Sequence, residues 1–521
     1  MKRIIKGSLL VIVAAFALWS CKGGNNLKGD AEPDFNLLDS LVEAGDFAQA
    51  KEIIYPFLEA PGLSQENHYH LNFEIDKMER IANEFNLSIE DALEYIHKYL
   101  PEAGENELNA WIESGALEAK KIDGAWRVFK KAPHNLFLID TAAAKAYVAV
   151  EGVEEETSDF LEGYLPQVLE ASAKSKVALS SVLGIQKQNV QKASYVKPQK
   201  MRIHVRMRVF PQAVPAGETV RIWLPFIHWL SPKYTYIKLL NVYRSDNATP
   251  DNPQGNGASE YILSPSDAVR NSLYAEMISN GTDTLKIGYD LEFTALNQYF
   301  ANLEDWILPY DFESDLYKKY TAEREQHIVF TPELKKLTAE IVGEEVRPYQ
   351  IVKKIWSYID KNFPWAGARD YSTIPNIPMY VLKNGHGDCG QVTLLLLTML
   401  RIAGIPAKWQ SGWMLHPGHV NLHDWGEVYY EGVGWVPIDQ SFGHNGSIDN
   451  PDQYYFFSRG LDAYRYIVNE DYGAAAPLYP AKIYPHFDEV DFQMGEVEWR
   501  GGNVYNGSNG WRCWMDVEYL N

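Results

Sequence analysis

A cysteine, a histidine and an aspartate, in that order, stand on segments that can bring them together for nucleophilic chemistry. Cys389 lies in Gly385-His386-Gly387-Asp388-Cys389-Gly390-Gln391, and the apolar run Val392, Leu394, Leu395, Leu396, Leu397, Met399 and Leu400 follows. A glycine-rich turn, then Asp388 as N-cap, then apolar residues predict a loop leading into a buried helix that ends at Gly404 and Pro406. At the start of such a helix the orphan N–H groups and the macrodipole favour a thiolate, lowering the pKa from about 8.5 toward neutrality. The same N–H groups, that of Cys389 included, can receive an oxyanion. A buried structural cysteine is the competing reading of this segment taken alone.

Downstream, Asn421-Leu422-His423-Asp424-Trp425-Gly426-Glu427-Val428-Tyr429-Tyr430 and Gly434-Trp435-Val436-Pro437-Ile438-Asp439 read as two strands joined by a glycine-containing turn. His423 enters the first strand and Asp439 ends the second, so in an antiparallel pair the two side chains lie side by side. The carboxylate can then hold the Nδ1–H of the imidazole and leave Nε2 to take the thiol proton.

Gly-Asp-Cys before an apolar helix, Arg401-Ile402-Ala403-Gly404-Ile405-Pro406-Ala407, His-x-Trp-x-Glu-Val-Tyr and Gly-Trp-Val-Pro-Ile-Asp together resemble the transglutaminase-like superfamily. The resemblance is specific from about Val381 to Phe442 and extends back to about Pro332. It implies a papain-like fold and the chemistry of transglutaminases, peptide N-glycanases and bacterial cysteine peptidases or amidases. By resemblance Cys389 is the nucleophile, His423 the general base and acid, and Asp439 the orienting carboxylate. Family members often carry an aromatic residue near the oxyanion, and Trp365 is the candidate here. Between His and Trp the family usually has a small residue; this chain has Asp424, which alters the local electrostatics.

Other readings compete for the same residues. His416, His419 and His423 with Cys389 could ligate zinc, but a metal ligand cannot also be a free base, and Pro417-Gly418 breaks the helix that such spacing needs; no metal is expected. Cys513 could pair with Cys389 and mask it. Trp413, His419 and Trp425 are candidates for the substrate cleft, with packing the default for each.

The remaining elements must position this centre. Residues 35 to about 100 carry helical periodicity, with Pro56 expected to kink or end one helix and Ser88-Ile89-Glu90-Asp91 resembling a capping box. A hairpin turning at Asp123-Gly124 and a helix from residue 158 follow. Met201, Ile203, Val205, Met207 and Val209 then alternate with Arg202, His204, Arg206 and Arg208, as in a strand with one buried face, and further strand-like runs to Phe293 suit an antiparallel sandwich. The basic stripe reads as a solvated face before it reads as an anion site. Helical periodicity resumes at Pro332.

The N-terminus is an address. Lys2, Arg3 and Lys6 precede about a dozen apolar residues, too few to span a bilayer core that needs roughly 20. Leu18-Trp19-Ser20-Cys21 resembles a bacterial lipobox, which implies a lipidated Cys21. The 521-residue chain has 48 Lys+Arg against 69 Asp+Glu, a net charge of −21, which opposes nucleic-acid binding. Three cysteines exclude a disulfide scaffold.

The expectation is a multidomain α+β protein: a lipoprotein signal peptide over 1–20, a tether over 21–34, a mainly helical region over 35–195, a β-sandwich over 196–312, a papain-like transglutaminase-like domain over 313–480, and a strand-rich tail over 481–521 packing on that domain. The expected activity is thiol-dependent acyl transfer on a peptide or glycopeptide amide, without a cofactor, by an exported lipoprotein held at a membrane through its N-terminal lipid, at the outer membrane, cell surface or periplasmic face. A non-catalytic surface binding protein and a true protein-glutamine transglutaminase are the alternatives.

Overall fold

The computed structural model describes residues 32–152, 158–183, 193–249, 251–252, 255–258, 260–443, 450–473, 477–486, 490 and 492–520. The expected signal peptide, Cys21 and nearly all of the tether lie outside the described residues. Among those described, no helix is long and apolar enough to cross a membrane. They form two compact units, 32–78 with 121–125, and 79–120 with 126–520.

The smaller unit is built on helices Phe35–Ala44 and Phe47–Glu59. Asp34 caps the first through the N–H of Leu37, and Gly45 closes it at φ 85°. Pro56 does not end the second helix, which runs three residues past it. Near a helix end the proline removes one N–H from a turn whose partners on the outer side are water.

In the larger unit Ser88 and Asp91 form the expected capping box of helix Ile89–Ile96. Helices Glu105–Ser114, Ala132–Ile139, Thr141–Glu151 and Ser158–Leu183 follow. The strands, in chain order, are β1 (Ala119–Ile122), β2 (Ala125–Val128), β3 (Ser194–Val209), β4 (Thr219–Pro225), β5 (Tyr234–Arg244), β6 (Ile262–Leu263), β7 (Ser272–Ile278), β8 (Leu285–Tyr299), β9 (Ala407–His416), β10 (His419–Tyr430), β11 (Gly434–Ile438), β12 (Gly460–Leu461), β13 (Arg465–Asn469), β14 (Glu496–Trp499), β15 (Gly502–Val504) and β16 (Trp511–Leu520).

The sandwich has two sheets, one in the order β12-β8-β3-β16 with β5 also paired to β8, the other β15-β14-β4-β7-β6. Met201, Ile203, Val205 and Met207 point inward from β3 to share a core with Val220, Ile222 and Leu224 of β4. The basic stripe on the outer face of β3 is compensated across the ladder. Arg202 pairs with Glu292 at 3.2 Å and Glu518 at 2.9 Å, and Asp290 accepts from both His204 and Arg206 at 2.7 Å. It is a cross-strand ion ladder and not an anion site.

The tail goes somewhere other than expected. β16 runs antiparallel to β3 from Trp511↔Val209 to Leu520↔Lys200, and β14 pairs with β4. Residues 496–520 are therefore sandwich strands, because a strand with one apolar face is satisfied by any sheet edge that offers a matching register. The tail still reaches the sheet of β9 and β10 through Gln493 and through the Tyr519 hydroxyl, which donates to Leu415 O at 3.0 Å.

Residues 313–480 contain the layer that carries Cys389, His423 and Asp439. Helix Cys389–Ile402 is buried from Gly390 to Arg401 and packs with helix Pro348–Asn362 against the antiparallel sheet β11-β10-β9-β13. Each buried leucine there contributes roughly 1.5–3 kcal/mol. Because Trp511 is fully buried and donates Nε1–H to Val504 O at 2.6 Å, Trp511→Ala should destabilise the sandwich by about 3 to 5 kcal/mol, read as a lowered urea unfolding midpoint.

Candidate active site

Asp388 caps the cysteine helix as expected: its Oδ1 accepts from Gln391 N at 3.0 Å, and the Gln391 side chain returns to Asp388 N at 3.2 Å. Asp388 Oδ1 also accepts from the Tyr371 hydroxyl at 2.5 Å. Cys389 occupies the first helical position, half-buried, with a free thiol, as is that of Cys513. Its amide belongs to the first turn, where no intrahelical acceptor exists.

β10 and β11 pair with Gly426 opposite Ile438, so His423 and Asp439 lie just past the end of the ladder on neighbouring strands. His423 Nε2 is 2.7 Å from Asp439 Oδ2. A carboxylate only accepts, so Nε2 carries the hydrogen and the lone pair of the neutral ring is on Nδ1. This reverses the expected assignment of the two nitrogens, because Asp439 meets the ring at its tip.

Asp439 is fully buried, and both carboxylate oxygens and its backbone carbonyl are hydrogen-bonded. Oδ2 also accepts from Arg465 Nη1 at 2.9 Å, Oδ1 accepts from Ser441 N at 3.0 Å, and its backbone carbonyl accepts from Trp356 Nε1 at 3.0 Å. Burial works against its charge, yet His423 and Arg465 together hold it below the usual carboxylate range. For His423, burial first and then the Arg465 guanidinium outweigh the attraction of Asp439, so its pKa lies below the ordinary imidazole value and the ring is neutral at pH 7.

Arg465 was not recognisable as a site residue by motif. The available signal was a charge in the run Tyr464-Arg465-Tyr466-Ile467-Val468, since an arginine amid aromatic and β-branched residues demands a buried partner. It has two: Nε also donates to Asp462 Oδ2 at 2.8 Å, and its plane lies 5.0–5.4 Å from the rings of Phe442, Trp425 and Phe457. Asp462 Oδ1 lies 3.2 Å from His416 Nε2.

The thiol itself faces a different partner from the one expected. Cys389 Sγ donates to Asp424 Oδ2 at 3.4 Å, and among the described residues no hydrogen bond joins Cys389 to His423. Burial, then Asp424, then Asp388 push the Cys389 thiol well above its ordinary value, opposite to the lowering expected from the helix terminus. The positive end of the helix is already engaged by the Asp388 cap, and a second carboxylate sits on the sulfur. Gln493 holds Asp424 by donating to Oδ1, and donates to His423 O at 3.0 Å.

Trp365 stands at the rim. Its backbone bridges to Gly387, with Ala366 N donating to Gly387 O at 3.2 Å, and its side chain is 56% exposed, which removes core packing as the reason for it. The loop that carries it is held from the helical region: Asn135 exchanges two 2.9 Å bonds with Gly367, and Lys131 donates to Ala368 O at 3.0 Å. Three cleft candidates are elsewhere. Trp425 is fully enclosed and donates Nε1–H to Gln410 Oε1, and Trp413 is buried with its Nε1–H on Gln493 O at 2.7 Å, so both are packing residues. His419 lies at the far turn of the β9–β10 hairpin, opposite His416, which is itself buried and faces neither cleft nor solvent.

Comparison with known proteins bears on this segment. Residues 335–440 match the model of the transglutaminase-like superfamily. The uncharacterized protein YebA of Bacillus subtilis (strain 168) is 23% identical over 137 residues, 23% of this chain, and the chain spans only 18% of that relative. Among solved structures, that of a candidate cysteine protease from Cytophaga hutchinsonii is 14% identical, covering 63% of this chain and 93% of the other with a TM-score of 0.39. The periplasmic domain of TgpA from Pseudomonas aeruginosa is 12% identical, covering 46% and 88% with a TM-score of 0.25. Cys389, His423 and Asp439 all fall inside the segment that matches the transglutaminase-like superfamily.

Proposed function

We propose that this protein is a cysteine-type amide hydrolase, acting on peptide or glycopeptide amides through Cys389, His423 and Asp439, and that it is exported as a lipoprotein anchored by Cys21. The observation that supports the reading is the His423–Asp439 bond of 2.7 Å, which orients the imidazole and leaves the lone pair of the neutral ring on Nδ1.

In this scheme His423 Nδ1 takes the Cys389 proton and the sulfur attacks the amide carbon. The carbonyl oxygen becomes an oxyanion received by the Cys389 N–H, with Trp365 as the candidate second donor. The C–N bond breaks as the imidazolium returns its proton to the departing amine, leaving an acyl-thioester. Water, deprotonated by His423, then attacks the thioester and frees the carboxylic acid and the thiol. Hydrolysis is favoured over transfer to an amine because transfer requires an acceptor site and exclusion of water. One observation favours a second reading, a non-catalytic binding protein: the protonated thiol held on Asp424.

Release of amine from a panel of peptide and glycopeptide amides should fall at least about a thousandfold in Cys389→Ala and His423→Ala. Binding with no turnover in the wild type would leave the binding-protein reading. The base must be neutral, so kcat/KM should rise with pH through the His423 pKa, below about 6.5. Arg465→Gln removes the cation that opposes the imidazolium, and the acidic limb of that profile should move to higher pH.

A further inference from the structure

We propose that Asp424 is a further residue of the reaction centre: its carboxylate binds the proton of the resting Cys389 thiol in competition with His423, and so keeps the nucleophile latent until that carboxylate is neutralised. The inference rests on Cys389 being the nucleophile of the reaction above.

The geometry is specific. A thiol donates and an ionised carboxylate only accepts, so the 3.4 Å contact places the proton between sulfur and Asp424 Oδ2. The carboxylate is fixed and 2% exposed. Gln493 holds its Oδ1, and Gln493 is itself anchored by the Trp413 indole on its carbonyl at 2.7 Å. Gly390 is what admits Asp424 to the sulfur: a Cβ there would stand 2.5 Å from Asp424 Oδ2 and would also strike the Tyr371 hydroxyl. Any larger residue at 390 would have to displace one or both groups.

The charged and titratable groups around the sulfur come from every element packed on it. Asp424 comes from β10, Asp388 from the helix cap, and the Tyr371 phenol from the turn at 371–373. Lys131, from the helical region, acts on Asp388. The balance at the sulfur is thus set by two carboxylates, and each opposes a thiolate and an oxyanion formed on it. A cationic group on a bound molecule would neutralise Asp424, whereas an anionic one would add a further negative charge.

The test is alkylation of the Cys389 peptide by iodoacetamide across pH, in wild type, Asp424→Asn, Asp424→Ala and His423→Ala, each checked for folding by its unfolding midpoint. The wild-type midpoint should lie above about 8.5. Both Asp424 variants should move it down by about one unit or more, with about tenfold faster reaction at pH 7, and His423→Ala should not lower it. In the wild type the rate with a cationic reagent, 2-bromoethylamine, relative to that with iodoacetate should exceed the same ratio measured on free cysteine, and Asp424→Asn should remove that excess. A wild-type midpoint already below about 8.5, or folded Asp424 variants with the wild-type profile, would overturn the proposal. A lowered midpoint in the Asp424 variants with no amide turnover in any protein would leave Asp424 in this role and sink the hydrolase instead.

Discussion

Charges taken out of water must be matched group by group, and the interior around Asp439 meets that demand with a closed chain. His423 donates to Asp439, Arg465 bridges Asp439 and Asp462, and Asp462 faces His416, all fully or almost fully buried. Lys233, also buried, adds its ammonium to the carbonyls of Leu296 and Asp462. Packed apolar residues could fill such space at no loss of stability, whereas removing one partner from an ionic chain leaves an uncompensated charge. What the ions supply here is direction: a carboxylate held by three donors, on a backbone pinned by a fourth, can present its oxygen to the imidazole in only one way. The sheet, the helix Pro348–Asn362 through Trp356 on the backbone carbonyl, and the strand β13 through Arg465 on the carboxylate all converge on Asp439.

Two adjacent residues on β10 therefore sit in opposite electrostatic settings. His423 belongs to a site where a cation and an anion are balanced and the ring stays neutral. Asp424 faces a thiol beside a second carboxylate, with no charge exchanged between them at rest. The neutral thiol and neutral imidazole differ from a preformed thiolate–imidazolium pair, in which ionisation precedes substrate. In the hydrolysis proposed above the proton transfer would belong to the reaction itself, and its energetic cost would fall on the same step as bond formation.

The local features of the site were legible because short-range rules govern them. The Asp388 cap, the buried run from Gly390 and the strand–turn–strand carrying His423 and Asp439 follow from neighbouring residue types. Period-two alternation likewise marked the inner and outer faces of β3. What local pattern does not encode is which distant edge a strand joins or which atom of a ring meets its partner. β16 pairs with β3 across some three hundred residues, and its alternation would have suited another sheet equally. The choice of Nε2 over Nδ1 depends on Asp439 arriving at the ring tip, and the raised thiol depends on Asp424 reaching past a glycine.

The segment that carries the family likeness ends at residue 440, yet the parts that complete it lie beyond and before that point. β13 covers the open edge of β9, Arg465 neutralises Asp439, Gln493 tethers Asp424, and Asn135 grips the loop of Trp365. The unit that descends by similarity is thus smaller than the unit that can stand as a folded object. A change at Gln493, ahead of β14, or at Asn135, in the helical region, therefore acts on the same few side chains as a change inside the matched segment.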